Sequence, residues 1–248
     1  MESESQPGRP PLTTYEDLAR KIDHSLLRPE LTEEDVERGC RLARAYATAC
    51  VIVRPCDVDL AVQWMQGSGI TVGSVAGFPH GSSATAAKLY ETRDLLRRGA
   101  REIDMVINIG KLRSRCFQDI ETELRQAAES CHEAGAILKV ILENAYLTEE
   151  LKIIACKICT RVGADFVKTS TGFAPSGYTP DDLRLMRRSS GPEVKVKAAC
   201  GLRTLDQALE AWQAGADRFG MTATAAILDQ WKTRLQQQAS SPQPDSTS

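Results

Sequence analysis

The sequence predicts an α/β protein folded as a single (β/α)8 (TIM) barrel, with one extra helix before the first strand. Short runs rich in β-branched residues alternate with amphipathic helical runs along the whole chain, which is the pattern of βαβ units around a parallel sheet. Eight strand-like runs can be counted in 248 residues, a common length for one barrel. The competing architecture is a doubly wound open sheet, but no G-x-G-x-x-G motif follows the first strand.

The predicted elements follow one another without an internal linker. The extra helix is expected near residues 13–21. Thr32, Thr148 and Thr204 precede helical runs and are typical N-cap residues, while glycines before several strands are typical of helix ends. The eight strands, each followed by a helix, are predicted at residues 22–26, 50–54, 71–76, 102–108, 137–143, 165–168, 194–198 and 217–220.

The barrel domain is expected to span residues 12–236, flanked by two tails. Residues 1–11 are polar and proline-rich, residues 237–248 are rich in Ser, Pro and Gln, and both tails are predicted to be disordered. The N-terminus lacks the apolar core of a signal peptide, and no run reaches the roughly 18 to 20 apolar residues that a membrane span needs. We therefore expect a cytoplasmic protein without a membrane partner.

Charge and cysteine content narrow the function classes further. The formal net charge of -2 provides no global field that would attract nucleic acid, so an anionic ligand must be held by local groups. The 8 cysteines are scattered through predicted helices and strands, which is typical of reduced thiols. Cys156 and Cys159 match C-x-x-C, but no second Cys/His pair lies at zinc spacing, and three histidines are too few for a metal-dependent enzyme of this kind. We expect neither a metal nor a cofactor.

Charged residues occur on predicted strands that a barrel should bury. On the fourth strand Ile103 and Met105 share the face that should pack on the helices, so Asp104 should point into the barrel. The same alternation points Lys168 and Lys197 inward from the sixth and seventh strands, which are neighbours in a barrel. Both lysines lie at the C-terminal ends of their strands, where barrel enzymes carry out their chemistry.

Two lysines in one pocket indicate a chemical role. A second cation and partial burial both lower a lysine pKa, and a shift of about 3 units from ~10.4 takes roughly 4 kcal/mol. The product is a neutral amine that can attack a carbonyl and form a Schiff base. Asp104 can pair with Lys197 and relay protons. The alternative is a buried salt-bridge network that only fills the barrel. Lys139 and Lys195 share the inward parity but lie further from the strand ends, so we interpret them as supporting or ion-pairing groups.

Three turns at the C-terminal end of the predicted barrel are suited to an anion. They comprise residues 169–172, 200–204 and 220–224, after the last three strands. Glycine lets a ligand approach the backbone closely, Thr and Ser supply hydroxyl donors, and barrel enzymes commonly bind phosphate after the seventh and eighth strands. Each turn alone is typical of an ordinary helix cap, but their joint occurrence predicts a phosphorylated small-molecule substrate.

The runs "EIDMVINIGKL", "LKVILE", "GADFVKTSTGF", "VKVKAACGLRT" and "GADRFGMTAT" occur in this order, after "IDHSLLRPELTEEDV" and "VAGFPHG". In them the chain resembles the 2-deoxyribose-5-phosphate aldolases, a class I (Schiff-base) aldolase family. The resemblance implies reversible, metal-free cleavage of 2-deoxy-D-ribose 5-phosphate to acetaldehyde and D-glyceraldehyde 3-phosphate. It implies that Lys168 is the Schiff-base lysine, that Lys197 lowers its pKa, and that Asp104 is the acid/base partner.

The resemblance also assigns the substrate contacts. Asp23 and Thr171 fall where the family places polar residues near the substrate hydroxyls, and Lys195 matches no catalytic position. The residues that match the phosphate site are Gly172, Gly201, Arg203, Gly220 and Thr222.

Four residues depart from the family pattern. Cys200 replaces a common glycine, Ala223 replaces the second of two serines, Arg54 replaces Asn or Tyr, and the tail ends in Ser248 rather than the tyrosine of some members. We expect Cys200 to narrow the phosphate site and Ala223 to remove a donor, while Arg54 is either an added charge or a surface group. The alternative functions are therefore a Schiff-base aldolase for another sugar or aldehyde, with or without a phosphate group, and a barrel that only binds a sugar phosphate. A homodimer is expected.

Overall fold

Eight parallel strands close into a barrel in the computed structural model, which describes residues 9–240. Each strand pairs with the next along the chain, and the eighth pairs with the first. The predicted (β/α)8 barrel is therefore confirmed. The strands are β1 Ile22–Leu26, β2 Cys50–Val53, β3 Thr71–Ala76, β4 Glu102–Val106, β5 Ile137–Ile141, β6 Phe166–Lys168, β7 Lys195–Ala199 and β8 Arg218–Met221.

The helices surround the barrel, and the predicted N-terminal helix is present before β1. Two helices rather than one connect β4 to β5. Within residues 9–240 the helices are α1 Tyr15–Ala19, α2 Glu33–Ala45, α3 Val58–Met65, α4 Thr85–Arg97, α5 Ile109–Arg113, α6 Phe117–Glu133, α7 Glu149–Arg161, α8 Pro180–Ser189, α9 Leu205–Gln213 and α10 Thr224–Ser240. None of these helices combines the length and the apolar character that crossing a bilayer requires.

Local signals in the sequence fix where the helices begin and end. The side chains of Thr32, Thr148 and Thr204 each accept a hydrogen bond from a backbone N–H in the first turn, as predicted for N-caps. Replacing such a cap with alanine costs about 1 kcal/mol. Gly163 and Gly215 return the chain to the next strand with φ of +73° and +111°, which residues with a Cβ rarely adopt.

The fourth and fifth strands end earlier than predicted. Asn108 leaves β4 because its side chain accepts the backbone N–H of Lys111 and caps α5. Glu143 lies beyond β5 with a left-handed φ of +55°, which is incompatible with a strand. Smaller differences of one residue occur at the ends of β2, β6, β7 and β8.

The domain boundaries also differ slightly from the expectation. Arg9, placed in the N-terminal tail, forms an ion pair of 2.7 Å with Asp217. At the other end, α10 continues to Ser240, past the predicted end at residue 236. The remainder of both predicted tails, residues 1–8 and 241–248, lies outside the described residues.

The hydrophobic core lies between the barrel and the helices. Ile103, Met105, Val167 and Val196 face outward from their strands and have no exposed surface, as the alternation predicts. Each such side chain stabilises the fold by about 1.5–3 kcal/mol. The side chains at the alternate positions of these strands point into the barrel. They include the charged groups that form the candidate active site.

Candidate active site

Asp104 is the centre of the charged cluster inside the barrel. Its side chain on β4 has no exposed surface. One carboxylate oxygen accepts a hydrogen bond from Lys139 Nζ at 3.0 Å, and the other accepts from Lys168 Nζ at 2.7 Å and from Lys197 Nζ at 2.8 Å. The structure thus places Lys197 against Asp104, as the sequence predicts, and adds Lys168 to the same oxygen.

Strand register brings the two lysines of the predicted site together. Lys168 is the last residue of β6, and its Cα pairs with that of Lys197 on β7. Because parallel partners point to the same face, both side chains enter the barrel at the same level. Lys168 is 4% exposed and Lys197 is 1% exposed, so this is a desolvated pair at the C-terminal end of the barrel.

The pKa values of Lys168 and Asp104 are both lowered, but burial and the neighbouring charges contribute to the two shifts differently. Burial lowers the pKa of Lys168 to about 8; Asp104 opposes this shift, and the Lys197 ammonium adds to it. Burial alone would raise the pKa of Asp104, but Lys139, Lys168 and Lys197 hold it well below its usual range. Lys168 is therefore the lysine prepared to lose its proton, whereas Asp104 stays ionised. The sequence argument named the second cation first as the cause of the lowered Lys168 pKa. In the structure, burial lowers this pKa more strongly than Lys197 does.

Asp23 on β1 forms a second anionic centre beside Asp104. Its carboxylate contacts Lys197 Nζ at 2.5 Å, Lys139 Nζ at 3.0 Å and Arg218 at 2.6 Å. Burial would raise the pKa of Asp23, but these three cations lower it. The Asp23 carboxylate is therefore held by cations from β5, β7 and β8.

Two members of this network were missed by the sequence argument. Glu102 on β4 contacts Lys139 and lies 3.5 Å from Arg218, and both Glu102 and Arg218 point into the barrel at its N-terminal end. The inward parity of Glu102 was visible in the sequence, whereas Arg218 lies in the short run 217–220, which has no clear alternation of polar and apolar residues. Lys139 is fully buried in this network, in keeping with an ion-pairing role. Lys195 is exposed, and its ammonium lies 5.7 Å from the Phe166 ring centroid.

Among the described residues, one group of donors is close enough to hold a metal ion. It comprises Asp23, Cys50 and Glu102, all buried. Both carboxylates already bind Lys139 and Arg218, and burial raises the pKa of the Cys50 thiol well above its usual value. A thiol that keeps its proton and two cation-bound carboxylates do not suit a metal ion.

A pocket opens above the cluster at the C-terminal ends of the strands, with a cavity volume of about 190 Å³. Lys168 and Lys197 form part of its wall, and Asp104 lies beneath them, outside the lining. The structure therefore brings nine of the ten predicted site residues to one cavity. They are Asp23, Lys168, Thr171, Gly172, Lys197, Gly201, Arg203, Gly220 and Thr222.

Glycines shape the part of the pocket assigned to phosphate. Gly172 and Gly201 line the pocket with φ of +93° and +107°, a conformation that residues with a Cβ rarely adopt. A Cβ on Gly220 would lie 3.2 Å from Lys197 Cε and 3.3 Å from Ala199 Cβ. The lack of a Cβ at Gly220 therefore makes room for the Lys197 side chain.

The departures from the family pattern have different structural consequences. Cys200 lines the pocket with a left-handed φ of +66°, a conformation that glycine adopts more easily. Ala223 packs against the hydrophobic core and does not line the pocket. Arg54 pairs with Asp57 at 2.6 Å and donates to the Leu31 carbonyl at 2.8 Å, so it supports the loop after β1 and adds no charge to the pocket.

Arg28 and Phe173 were not predicted as site residues, yet both line the pocket. The Arg28 guanidinium lies 5.6 Å from the centroid of the Phe173 ring, and the Phe78 ring packs against Phe173 in a T-shaped arrangement with centroids 5.4 Å apart. Arg28 lies in the run that carried the resemblance, but its side chain could be placed only once the loop geometry was known. With Arg203, it gives the mouth of the pocket a second cation.

Known proteins with this sequence pattern confirm the resemblance. A family model described as DeoC/LacD family aldolase matches residues 18–230. The chain belongs to the DeoC/LacD family of aldolases. Deoxyribose-phosphate aldolases from Thermococcus gammatolerans and Clostridium perfringens (strain 13) are 45% and 42% identical to it, over 86% of this chain and 96% and 94% of theirs. The aldolase is therefore a lyase.

A solved structure supports the same assignment. The deoxyribose phosphate aldolase from Aeropyrum pernix, described as a unique tetramer, superposes on this aldolase with a TM-score of 0.83 at 32% sequence identity. The superposition covers 90% of this chain and 94% of that chain. The range matched by the family model, residues 18–230, includes the strands that carry Asp104, Lys168 and Lys197.

Proposed function

We propose that this aldolase reversibly cleaves 2-deoxy-D-ribose 5-phosphate to acetaldehyde and D-glyceraldehyde 3-phosphate through a Schiff base on Lys168. The observation that carries the proposal is the buried Lys168 amine, whose pKa is lowered to about 8 and which shares one Asp104 oxygen with Lys197. The named activities of the relatives support the substrate.

In this mechanism neutral Lys168 attacks the substrate aldehyde and forms a carbinolamine, which loses water to give an iminium ion. The iminium ion then accepts the electron pair of the breaking C2–C3 bond, leaving an enamine that is protonated and hydrolysed to acetaldehyde. Asp104 and Lys197 carry the protons of carbinolamine formation and hydrolysis, since both lie within hydrogen-bond distance of each other beside Lys168.

The phosphate would lie among the turns after β6, β7 and β8. Backbone N–H groups near Gly172, Gly201 and Gly220 can approach its oxygens, because no Cβ covers them. Thr222 adds a hydroxyl, and Arg203 adds a positive charge from the same wall. Asp23 and Thr171 border the middle of the pocket, where the sugar hydroxyls would lie.

Borohydride reduction in the presence of acetaldehyde tests the Schiff base. We expect mass spectrometry to locate the reduced adduct on Lys168, and Lys168→Ala to lose both the adduct and turnover. Lys195→Ala is the matched control, because Lys195 is the exposed lysine of β7 and should react like the unmodified enzyme. An adduct on a different lysine refutes the assignment.

The second candidate is a Schiff-base aldolase for a non-phosphorylated sugar or aldehyde. Cys200 favours it, because a side chain occupies a turn position in the phosphate wall where glycine is common in the family. Comparing kcat/KM for deoxyribose and for its 5-phosphate separates the two candidates: a clear preference for the phosphate selects the first.

Location and assembly are further parts of the proposal. All 8 cysteines are free thiols, which suits a reducing compartment such as the cytoplasm.

For assembly we propose a homodimer. The tetramer described for the Aeropyrum pernix relative supports association between identical copies. Light scattering of the purified aldolase measures the oligomeric state.

A further inference from the structure

Glu143 is a buried carboxyl group that the mechanism above does not use. It follows β5, is 2% exposed, and has a left-handed φ of +55° that turns its side chain toward the loop after β6. Its two oxygens accept hydrogen bonds from the backbone N–H of Thr171 at 3.3 and 3.2 Å, and one of them also accepts from the Thr171 hydroxyl. Within residues 9–240 no lysine or arginine forms an ion pair with Glu143, in contrast to Asp23, Glu102 and Asp104.

The Thr171 hydroxyl connects this carboxyl group to the pocket. Its proton is donated to Glu143, and its oxygen accepts the backbone N–H of Phe173 at 3.0 Å. A hydroxyl oxygen has two lone pairs, so one remains for a donor in the pocket that Thr171 lines. Ser25 and Thr222 are the other hydroxyl residues of the described lining, and neither is hydrogen-bonded to a carboxylate.

We propose that Glu143 is a positioning residue for C–C cleavage, which accepts through Thr171 the proton of the hydroxyl on the carbon that is released. This inference rests on the proposed function. The substrate hydroxyl gives its proton to the Thr171 oxygen while Thr171 gives its own proton to Glu143. The O–H electron pair forms the new C=O bond, and the C–C electron pair moves to the iminium ion on Lys168 to give the enamine.

The position of the pair suits this step. Thr171 lies three residues after Lys168 on the same segment, and the carbon that bears the deprotonated hydroxyl is two bonds from the imine carbon. Burial raises the pKa of Glu143, although the hydrogen bonds from Thr171 and the nearby Lys168 charge oppose the shift. Glu143 therefore binds a proton more firmly than an exposed carboxylate, whereas Asp104, held by three ammonium groups, binds one far less readily. Asp104 and Lys197 remain responsible for the protons at the imine carbon.

Glu143→Gln tests the inference, because glutamine keeps an oxygen that can accept from Thr171 but cannot take up the proton. Two activities are compared: cleavage of 2-deoxyribose 5-phosphate, and exchange of the acetaldehyde methyl protons with heavy water. The exchange needs the Lys168 imine and enamine but no cleaved hydroxyl. We expect kcat for cleavage to fall about 100-fold, with KM nearly unchanged and exchange at the rate of the unmodified enzyme.

Variants of Thr171 extend the test. Thr171→Val should reproduce the loss of cleavage with exchange retained, and Thr171→Ser should restore cleavage because it keeps the hydroxyl. Glu91→Gln is the matched control, since the Glu91 carboxylate also accepts a backbone N–H, that of Gly77 at 2.8 Å, but lies outside the pocket lining. It should cleave normally.

Three results would overturn the inference. Normal cleavage by Glu143→Gln would leave Glu143 with a purely structural role, and an equal loss of cleavage and exchange would mean that it serves Lys168 or the fold. Either result leaves the proposed function intact. Absence of both exchange and a trapped adduct in the unmodified enzyme would reject the proposed function itself, and this inference with it.

Discussion

Lys168 and Lys197 face each other across β6 and β7 and donate to the same oxygen of Asp104, at 2.7 and 2.8 Å. With burial as the main cause, the pKa of Lys168 falls from 10.5 to about 8, which raises its neutral fraction at pH 7 roughly 300-fold. Asp104 and Lys197 act on this pKa in opposite directions. Substituting each one should therefore shift the reactivity of Lys168 in opposite directions.

Lys197→Leu should move imine formation to higher pH. Only neutral Lys168 attacks the aldehyde, so the rate rises as pH rises through its pKa of about 8. Without the second cation, one of the influences that lower the pKa of Lys168 is lost, so this pKa rises. The measurement is the rate of the borohydride-trapped acetaldehyde adduct across the neutral and alkaline range, and an unchanged pH profile would contradict the electrostatic role of Lys197.

Asp104→Asn should move imine formation to lower pH. Asp104 raises the pKa of Lys168, so its removal lets burial and Lys197 lower that pKa further below about 8. Turnover should nevertheless fall about 100-fold, because an amide cannot exchange the protons of carbinolamine formation. The same trapping assay gives the profile, and steady-state kinetics give the turnover. A pH shift in the same direction as in Lys197→Leu would contradict the claim that Asp104 and Lys197 act on the pKa of Lys168 in opposite directions.

Lys139→Met should destabilise the fold strongly. Lys139 is fully buried and binds Asp23, Glu102 and Asp104, so its loss leaves carboxylates in the barrel with too few cations. We expect the free energy of unfolding to fall by about 3–5 kcal/mol in urea denaturation. Adding Glu102→Gln should recover part of this loss, because it removes one of the uncompensated charges.

Lys195→Met provides the comparison for that measurement. Lys195 shares the predicted inward parity with Lys139, but it is exposed at the start of β7. Its substitution should cost less than about 1 kcal/mol, the range of a surface cation–π contact. Equal losses in the two variants would mean that side-chain packing, rather than buried charge, determines the effect.

The sequence predicts the barrel and its reactive residues well because both depend on short-range patterns. Alternation along a strand decides which residues face inward, so Asp104, Lys168 and Lys197 could be assigned to the interior before any coordinates were known. The hydrogen bonds of Lys168 and Lys197 to one oxygen of Asp104 could not be predicted, because they depend on the register between neighbouring strands. The same register brings Arg218 onto Asp23 across the junction of β8 and β1, a contact between residues 195 positions apart.

Loop residues were predicted less completely than strand residues. Glu143 was expected to continue β5, but its left-handed backbone ends the strand and places its carboxylate on Thr171. Arg28 reaches the pocket only because the loop after β1 folds against Phe173. No periodic pattern in the sequence indicates either arrangement. The position of Glu143 depends on a single backbone angle, and that of Arg28 depends on a single ring contact.

Arg203→Met should weaken the preference for a phosphorylated substrate. Arg203 lines the pocket beside Gly201 on the wall assigned to the phosphate, and Arg28 borders the same mouth, held over the Phe173 ring. Loss of one charge-assisted contact costs roughly 1.5–3 kcal/mol, so kcat/KM for 2-deoxyribose 5-phosphate should fall at least about tenfold, mainly through KM. The value for unphosphorylated deoxyribose should hardly change, because that substrate lacks the anion.

Arg28→Met distinguishes a phosphate contact at the mouth from a purely aromatic contact. If Arg28 also binds the phosphate, the double variant with Arg203→Met should lose more preference than either single variant, and added salt should reduce the preference of the unmodified enzyme. Arg44→Met is the control, since Arg44 is exposed in the last turn of α2, outside the pocket lining. If both sugars lost kcat/KM equally in Arg203→Met, the wall after β7 would bind the sugar itself, and the phosphate would have to lie elsewhere.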